Sequence, residues 1–171
     1  MDVVVLYESA FGNTAVIARS VADGIGEVLD VRCAPFSDGA PPGEGPADLL
    51  VVGGPTHAFG MSRPSTRADA AARAGTEPPS TGLREWVESA ELPDGQRVAT
   101  FDTRATVVRR VPGSAARAAA RALRHRGCTL VDRPTSFFVT DVEGPLAPGE
   151  VERARAWGRS LADALPAQAH A

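Results

Sequence analysis

The segment Ser9-Ala10-Phe11-Gly12-Asn13-Thr14 gathers three hydrogen-bonding side chains around one glycine, directly after an apolar run. Where a strand turns into a helix, several backbone N–H groups point at one spot, at the positive end of the helix dipole. Ser9, Asn13 and Thr14 add side-chain donors, and Gly12 admits either a left-handed backbone or the close approach of an anion. The chemistry that follows is the binding of a phosphate monoester by neutral donors. The same three side chains could instead serve only as helix caps. The segment has neither the Gly-x-Gly-x-x-Gly of dinucleotide folds nor the Gly-Lys-Ser/Thr of a Walker loop, and the sequence contains no lysine at all. A mononucleotide held at one phosphate is the expectation.

The elements that must position this turn can be read from periodicity. Apolar runs at residues 3–7, 49–52, 98–101 and 136–140 do not alternate, as expected for strands covered on both faces. A shorter mixed run at 29–33 suits an edge strand. Helical patterns fall between them at 14–28, 81–89, 114–126 and 150–165. Alternating strands and helices predict an α/β fold with a doubly wound, five-stranded parallel sheet in one domain. Two stretches break the rhythm. Residues 35–47 are rich in Gly and Pro, and no regular helix is expected there. Residues 60–80 read as a long loop with a helical turn at 68–74, either a cover over a site or a disordered insertion. Trp86 and Trp157 fall on apolar helix stripes and read as core anchors.

The 171 residues carry a net charge of −3, which gives no argument for nucleic acid or a membrane surface. No segment approaches the ~20 apolar residues of a membrane span. Cys33 and Cys128 are too far apart for a metal motif, and read as small apolar side chains in a reducing cytoplasm. No metal site and no catalytic side chain are expected. Charge is uneven: residues 1–100 hold 14 acidic side chains against 7 arginines, whereas 101–133 hold 2 against 8. Arg117, Arg121 and Arg124 fall on one helix face, which either docks an acidic partner or is simply solvated.

Val5-Leu6-Tyr7-x-Ser9-x-x-Gly12-x-Thr14, followed by Ala18 and Val21, resembles the N-terminal signature of the flavodoxins at eight positions over seventeen residues. Gly53-Gly54-Pro55-Thr56-His57 after the third strand and Phe101-Asp102-Thr103-Arg104 after the fourth resemble the two flavin loops of that family in order and spacing. The resemblance implies a flavodoxin-like sheet of order 2-1-3-4-5 and an FMN cofactor. It implies that Ser9, Ala10, Phe11, Gly12, Asn13 and Thr14 wrap the phosphate. Pro55, Thr56, His57, Ala58, Phe59 and Gly60 would line one side of the ring, and Asp102, Thr103 and Arg104 the pyrimidine edge and other side.

The chain also departs from the family. Phe11 stands where many flavodoxins have a hydroxyl. His57 stands at the place of the usual Trp, and no aromatic lies near the usual Tyr, between 106 and 111. Arg104 either favours the anionic reduced form of the flavin or pairs with Asp102. The implied function is electron transfer through bound FMN, to a redox partner protein or a small quinone-like acceptor, by a cytoplasmic monomer or weak dimer. The alternatives are an FMN-dependent quinone or protoporphyrinogen-type oxidoreductase, and a flavodoxin-fold interaction module that has lost flavin.

Overall fold

A computed structural model of the chain describes residues 1–36 and 47–165. The elements run β1 (Asp2–Tyr7), α1 (Asn13–Ile25), β2 (Asp30–Pro35), β3 (Leu49–His57), β4 (Gly60–Met61), α2 (Pro64–Ala74) and α3 (Leu83–Ser89). They continue with β5 (Arg97–Ala105), α4 (Ala115–His125), β6 (Thr129–Leu130), β7 (Thr135–Val139) and α5 (Glu150–Asp163). The parallel sheet has the order β2-β1-β3-β5, and β5 is flanked on its far side by β6 and then β7.

The expected order 2-1-3-4-5 is therefore present, with its fifth strand in two pieces. β6 pairs with Arg97 and Val98 at the start of β5, and β7 pairs with Phe101 to Ala105 at its end. Pro134 lies in the gap, where it has no N–H to give a ladder. Asp132, also in the gap, turns its carboxylate to accept from Trp157 Nε1 at 2.7 Å.

The non-alternating strands are explained by two cores. Val3, Val5 and Tyr7 of β1 face α1 and α5, with Phe101, Phe137 and Trp157. Val4 and Leu6 face the other way, with Trp86, Val87 and Leu123. Successive side chains of a strand point to opposite faces, so a strand buried on both reads as one apolar run. Both tryptophans are core residues, Trp157 packed edge-on to Phe101 and Phe137, and Trp86 against Phe36. On the first face α1 and α5 meet almost backbone to backbone. A Cβ on Gly158 would lie 2.2 Å from the Val21 carbonyl oxygen, so only glycine permits the contact.

Residues 60–80 form more structure than a loop. β4 folds back on β3, pairing Met61 with Thr56, and α2 follows as an eleven-residue helix with Pro64 in its first turn. The expectation for residues 35–47 falls almost wholly outside the described residues.

Candidate functional site

The carboxyl ends of β1, β3, β5 and β7 surround a cavity of about 460 Å³, within the size range of small-molecule sites. This is the edge at which open α/β sheets bind ligands.

At one end stands the turn before α1. Gly12 has φ +90°, a left-handed conformation open to glycine, and it precedes the helix without a side-chain cap of its own. Ser9 Oγ turns inward and accepts from Gly12 N (3.1 Å) and Ala15 N (3.3 Å), stitching the turn together. Among the described residues, no hydrogen bond uses the backbone N–H of Ala10, Phe11, Asn13 or Thr14. Those four residues line the cavity. The first turn of α1 carries no acidic residue that would offset its dipole. Capping thus accounts for Ser9, but not for Asn13 or Thr14. Asn13 Nδ2 donates to the Glu143 carbonyl at 2.9 Å. Thr14 Oγ1, buried, lies 2.7 Å from Thr103 Oγ1. One of these two hydroxyls donates to the other, and the acceptor keeps its own proton to give away.

The opposite end is apolar. Pro55, Thr56 and His57 from the end of β3 line it, with Ala58 and Phe59 in the hairpin turn to β4. Ala58 (φ +45°) and Phe59 (φ +66°) are both left-handed, as a two-residue hairpin turn demands and as side chains disfavour. This strained turn holds Phe59 at the mouth, 53% exposed. Val107, Val108, Val139 and Val142 also line the cavity. His57 Nδ1 shares a hydrogen bond with Thr66 Oγ1 (3.0 Å), and burial, then the Arg67 charge, hold its imidazole below the ordinary 6.5. Thr56 Oγ1 accepts from Ala115 N at 2.9 Å and so caps α4.

Thr103 and Arg104 line the cavity from β5, and Asp102 does not. Asp102 is fully buried against the start of α4, where its Oδ2 accepts from Ala116 N at 2.9 Å. No ion pair joins it to Arg104. The Arg104 guanidinium instead donates through Nη2 to the carbonyls of Val108 and Val111, the latter at 3.0 Å, and its buried Nε has no partner among the described residues. Gly12 and Gly60 shape the backbone beside the cavity, and Ser9 opens on a small adjoining void of about 20 Å³ shared with Glu8 and Arg67.

Within residues 60–80, weighed above as a cover or an insertion, α2 forms a wall of the cavity with Thr66, Asp69, Ala70 and Arg73. It is held by a buried polar cluster. Glu8 Oε2 accepts from Ser62 Oγ (2.7 Å) and Leu83 N (2.9 Å), and Arg67 Nη1 reaches Ser62 Oγ (3.0 Å) and Glu85 Oε2 (2.9 Å). Burial pushes the Glu8 carboxyl up, while Ser62, the Leu83 amide and Arg67 hold it down. Glu8 immediately precedes the turn, so the cluster ties the cavity's cover to its polar end.

Among the described residues no His, Cys, Asp or Glu cluster could hold a metal, and no helix is long and apolar enough to cross a membrane. Cys33 and Cys128 are free, and burial pushes the Cys33 thiol up to about 11.

No protein-family model matches the sequence, and no curated protein matches it at a significant level. Solved structures do. The chain superposes on a flavodoxin from the domain Archaea with a TM-score of 0.65 and 19% identity, over 96% of this chain and 99% of that one. Oxidised flavodoxin 2 from Bacillus cereus gives 0.63 and 18%, over 95% and 99%. A WrbA-like flavodoxin from Agrobacterium tumefaciens gives 0.57 and 18%, over 95% of each chain. At these identities the likeness establishes a flavodoxin-like fold.

Proposed function

We propose that this chain of flavodoxin-like fold binds FMN in the 460 Å³ cavity and passes electrons through it. The observation that carries the reading is the cavity's polarity: unbonded amides at the start of α1 at one end, an apolar slot at the other. That division matches a molecule with a phosphate at one end and a flat ring at the other. The amides of Ala10, Phe11, Asn13 and Thr14, with the free proton of the Thr14–Thr103 pair, would hold the phosphate. Phe11 offers no hydroxyl, so the amides and that single proton carry the site. Pro55, His57 and Phe59 would cover one side of the ring, and Val107 and Val108 the other. When bound, the flavin supplies one- and two-electron chemistry. The protein's own part is to orient the ring and limit water around it.

The acceptor we propose is a redox partner protein or a small quinone-like molecule. The aliphatic residues Val107, Val108 and Val142 favour the second as an oxidoreductase substrate, because among the described residues no aromatic stands beside them in the cavity lining. Two free thiols fit a cytoplasmic setting.

The test is direct. Purified protein should be yellow, or should quench the fluorescence of added FMN. Colourless protein that leaves FMN fluorescence intact would leave only the interaction-module reading. Thr14→Val should weaken FMN about tenfold or more, from the loss of one hydrogen bond to a charged group of roughly 1.5–3 kcal/mol. Unchanged affinity would remove the phosphate assignment.

A further inference from the structure

Arg104 is a buried cation, 6% exposed, on the wall of the cavity. A buried charge is costly unless something compensates it. The acidic residue nearest in sequence, Asp102, gives its Oδ2 to the Ala116 amide, and its buried Oδ1 has no partner among the described residues, yet it forms no ion pair with Arg104. None of the ion pairs formed among the described residues includes Arg104. Two carbonyls, of Val108 and Val111, receive its Nη2, and its Nε–H has no partner among the described residues. The other charged groups on the cavity wall, Asp69 and Arg73, are exposed on α2.

The carbonyls that hold the guanidinium belong to the same segment that supplies Val107 and Val108 to the apolar slot. The guanidinium is thereby anchored to the segment after β5 that lines the apolar slot. A guanidinium only donates. Of the edges of an isoalloxazine, only the pyrimidine edge is rich in acceptors, and the dimethylbenzene edge has none. Apolar walls screen a charge poorly, which strengthens its reach across the slot.

We propose that Arg104 is the counter-charge for the reduced cofactor, so that the protein binds reduced FMN more tightly than oxidised FMN. This rests on the FMN reading above. Uptake of two electrons and one proton from a reductant leaves one negative charge on the pyrimidine edge. Arg104 stabilises that charge and makes a second, neutralising proton unnecessary.

The experiment uses the full chain, FMN, and riboflavin as the phosphate-free probe, with dithionite as reductant and a reference dye to read the two-electron potential. FMN binding by the wild type is established first; if the wild type binds no FMN, the functional reading fails, and this proposal with it. With binding established, Arg104→Gln should lower the preference for reduced over oxidised FMN at least tenfold, about 30 mV in two-electron potential. Arg104→Lys, which keeps the charge, should retain most of that preference. An unchanged preference in Arg104→Gln overturns the proposal. So does an equal loss in both variants, which would reduce Arg104 to a clamp on its carbonyl partners. Loss of oxidised FMN affinity with riboflavin affinity unchanged would put the guanidinium on the phosphate, and also overturns it. Should Arg104→Gln fail to fold, Val107→Glu, at a position 84% exposed, places an opposing charge at the slot; it should shift the preference in the same direction, and no shift counts against the proposal.

Discussion

The two ends of the cavity are built on opposite plans. The polar end is one contiguous hexapeptide, stitched by Ser9 Oγ and aimed by the first turn of α1. The apolar end is assembled from β3, the residues after β5, and the residues after β7, and a strained two-residue turn places its one exposed aromatic. Ser9 Oγ closes the first end locally, and Asn13 and Thr14 anchor it to Glu143 and Thr103. The second exists only because distant segments pack. α2 touches both, with Thr66 beside His57 at one end and Ala71 beside Ser9 and Ala10 at the other.

That contrast can be broken most severely through α2. Arg67→Met removes the cation between Glu8 and Glu85 and leaves Glu8 buried without it. Stability should fall by about 3 kcal/mol, read as a drop of roughly 10 °C in melting temperature, and FMN and riboflavin should both bind less well. A change confined to the polar end comes next. Gly12→Val forces a β-branched residue to φ +90°, and FMN affinity should fall about 100-fold, or ~3 kcal/mol, with riboflavin affinity little affected. Equal losses for both ligands would show that the ends are not separable.

Ala58→Gly works at the apolar end in the other direction. Relieving the left-handed alanine should raise stability by about 1 kcal/mol in thermal or urea unfolding, while freeing Phe59. The smallest effect concerns His57. Its folded value lies below the unfolded 6.5, so the stability due to its neutral form is fully present above 6.5 and is lost as pH falls through the folded value. His57→Gln should flatten that acid-side slope, and NMR titration of the imidazole should give a midpoint below 6.5.

Much of this architecture is written locally. Val3 to Tyr7 declares a doubly covered strand because each residue is apolar whichever face it meets. The turn at Ser9 to Thr14 shows its consecutive donors in the sequence, where an anion site and a helix cap read alike. Other features depended on neighbours that no local pattern names. α2 was obscured because its buried stripe consists of Arg67, Ala70 and Ala71, and an arginine at a core position reads as solvent-facing until Ser62 and Glu85 are seen to receive it. Asp102 and Arg104 sit two residues apart on one strand, and the spacing alone could not choose between an ion pair and separate roles. The fold decided it: α4 presents the Ala116 amide to Asp102, and Val108 and Val111 present carbonyls to Arg104. The sequence by itself determined the doubly covered strands and the run of donors at Ser9 to Thr14, because both follow from short-range chemistry, and its resemblance to a known fold supplied the sheet order. Only the tertiary structure decided how α2 packs over the cavity and which groups receive Asp102 and Arg104, because a buried polar group takes its role from the partner that packing brings within hydrogen-bond reach.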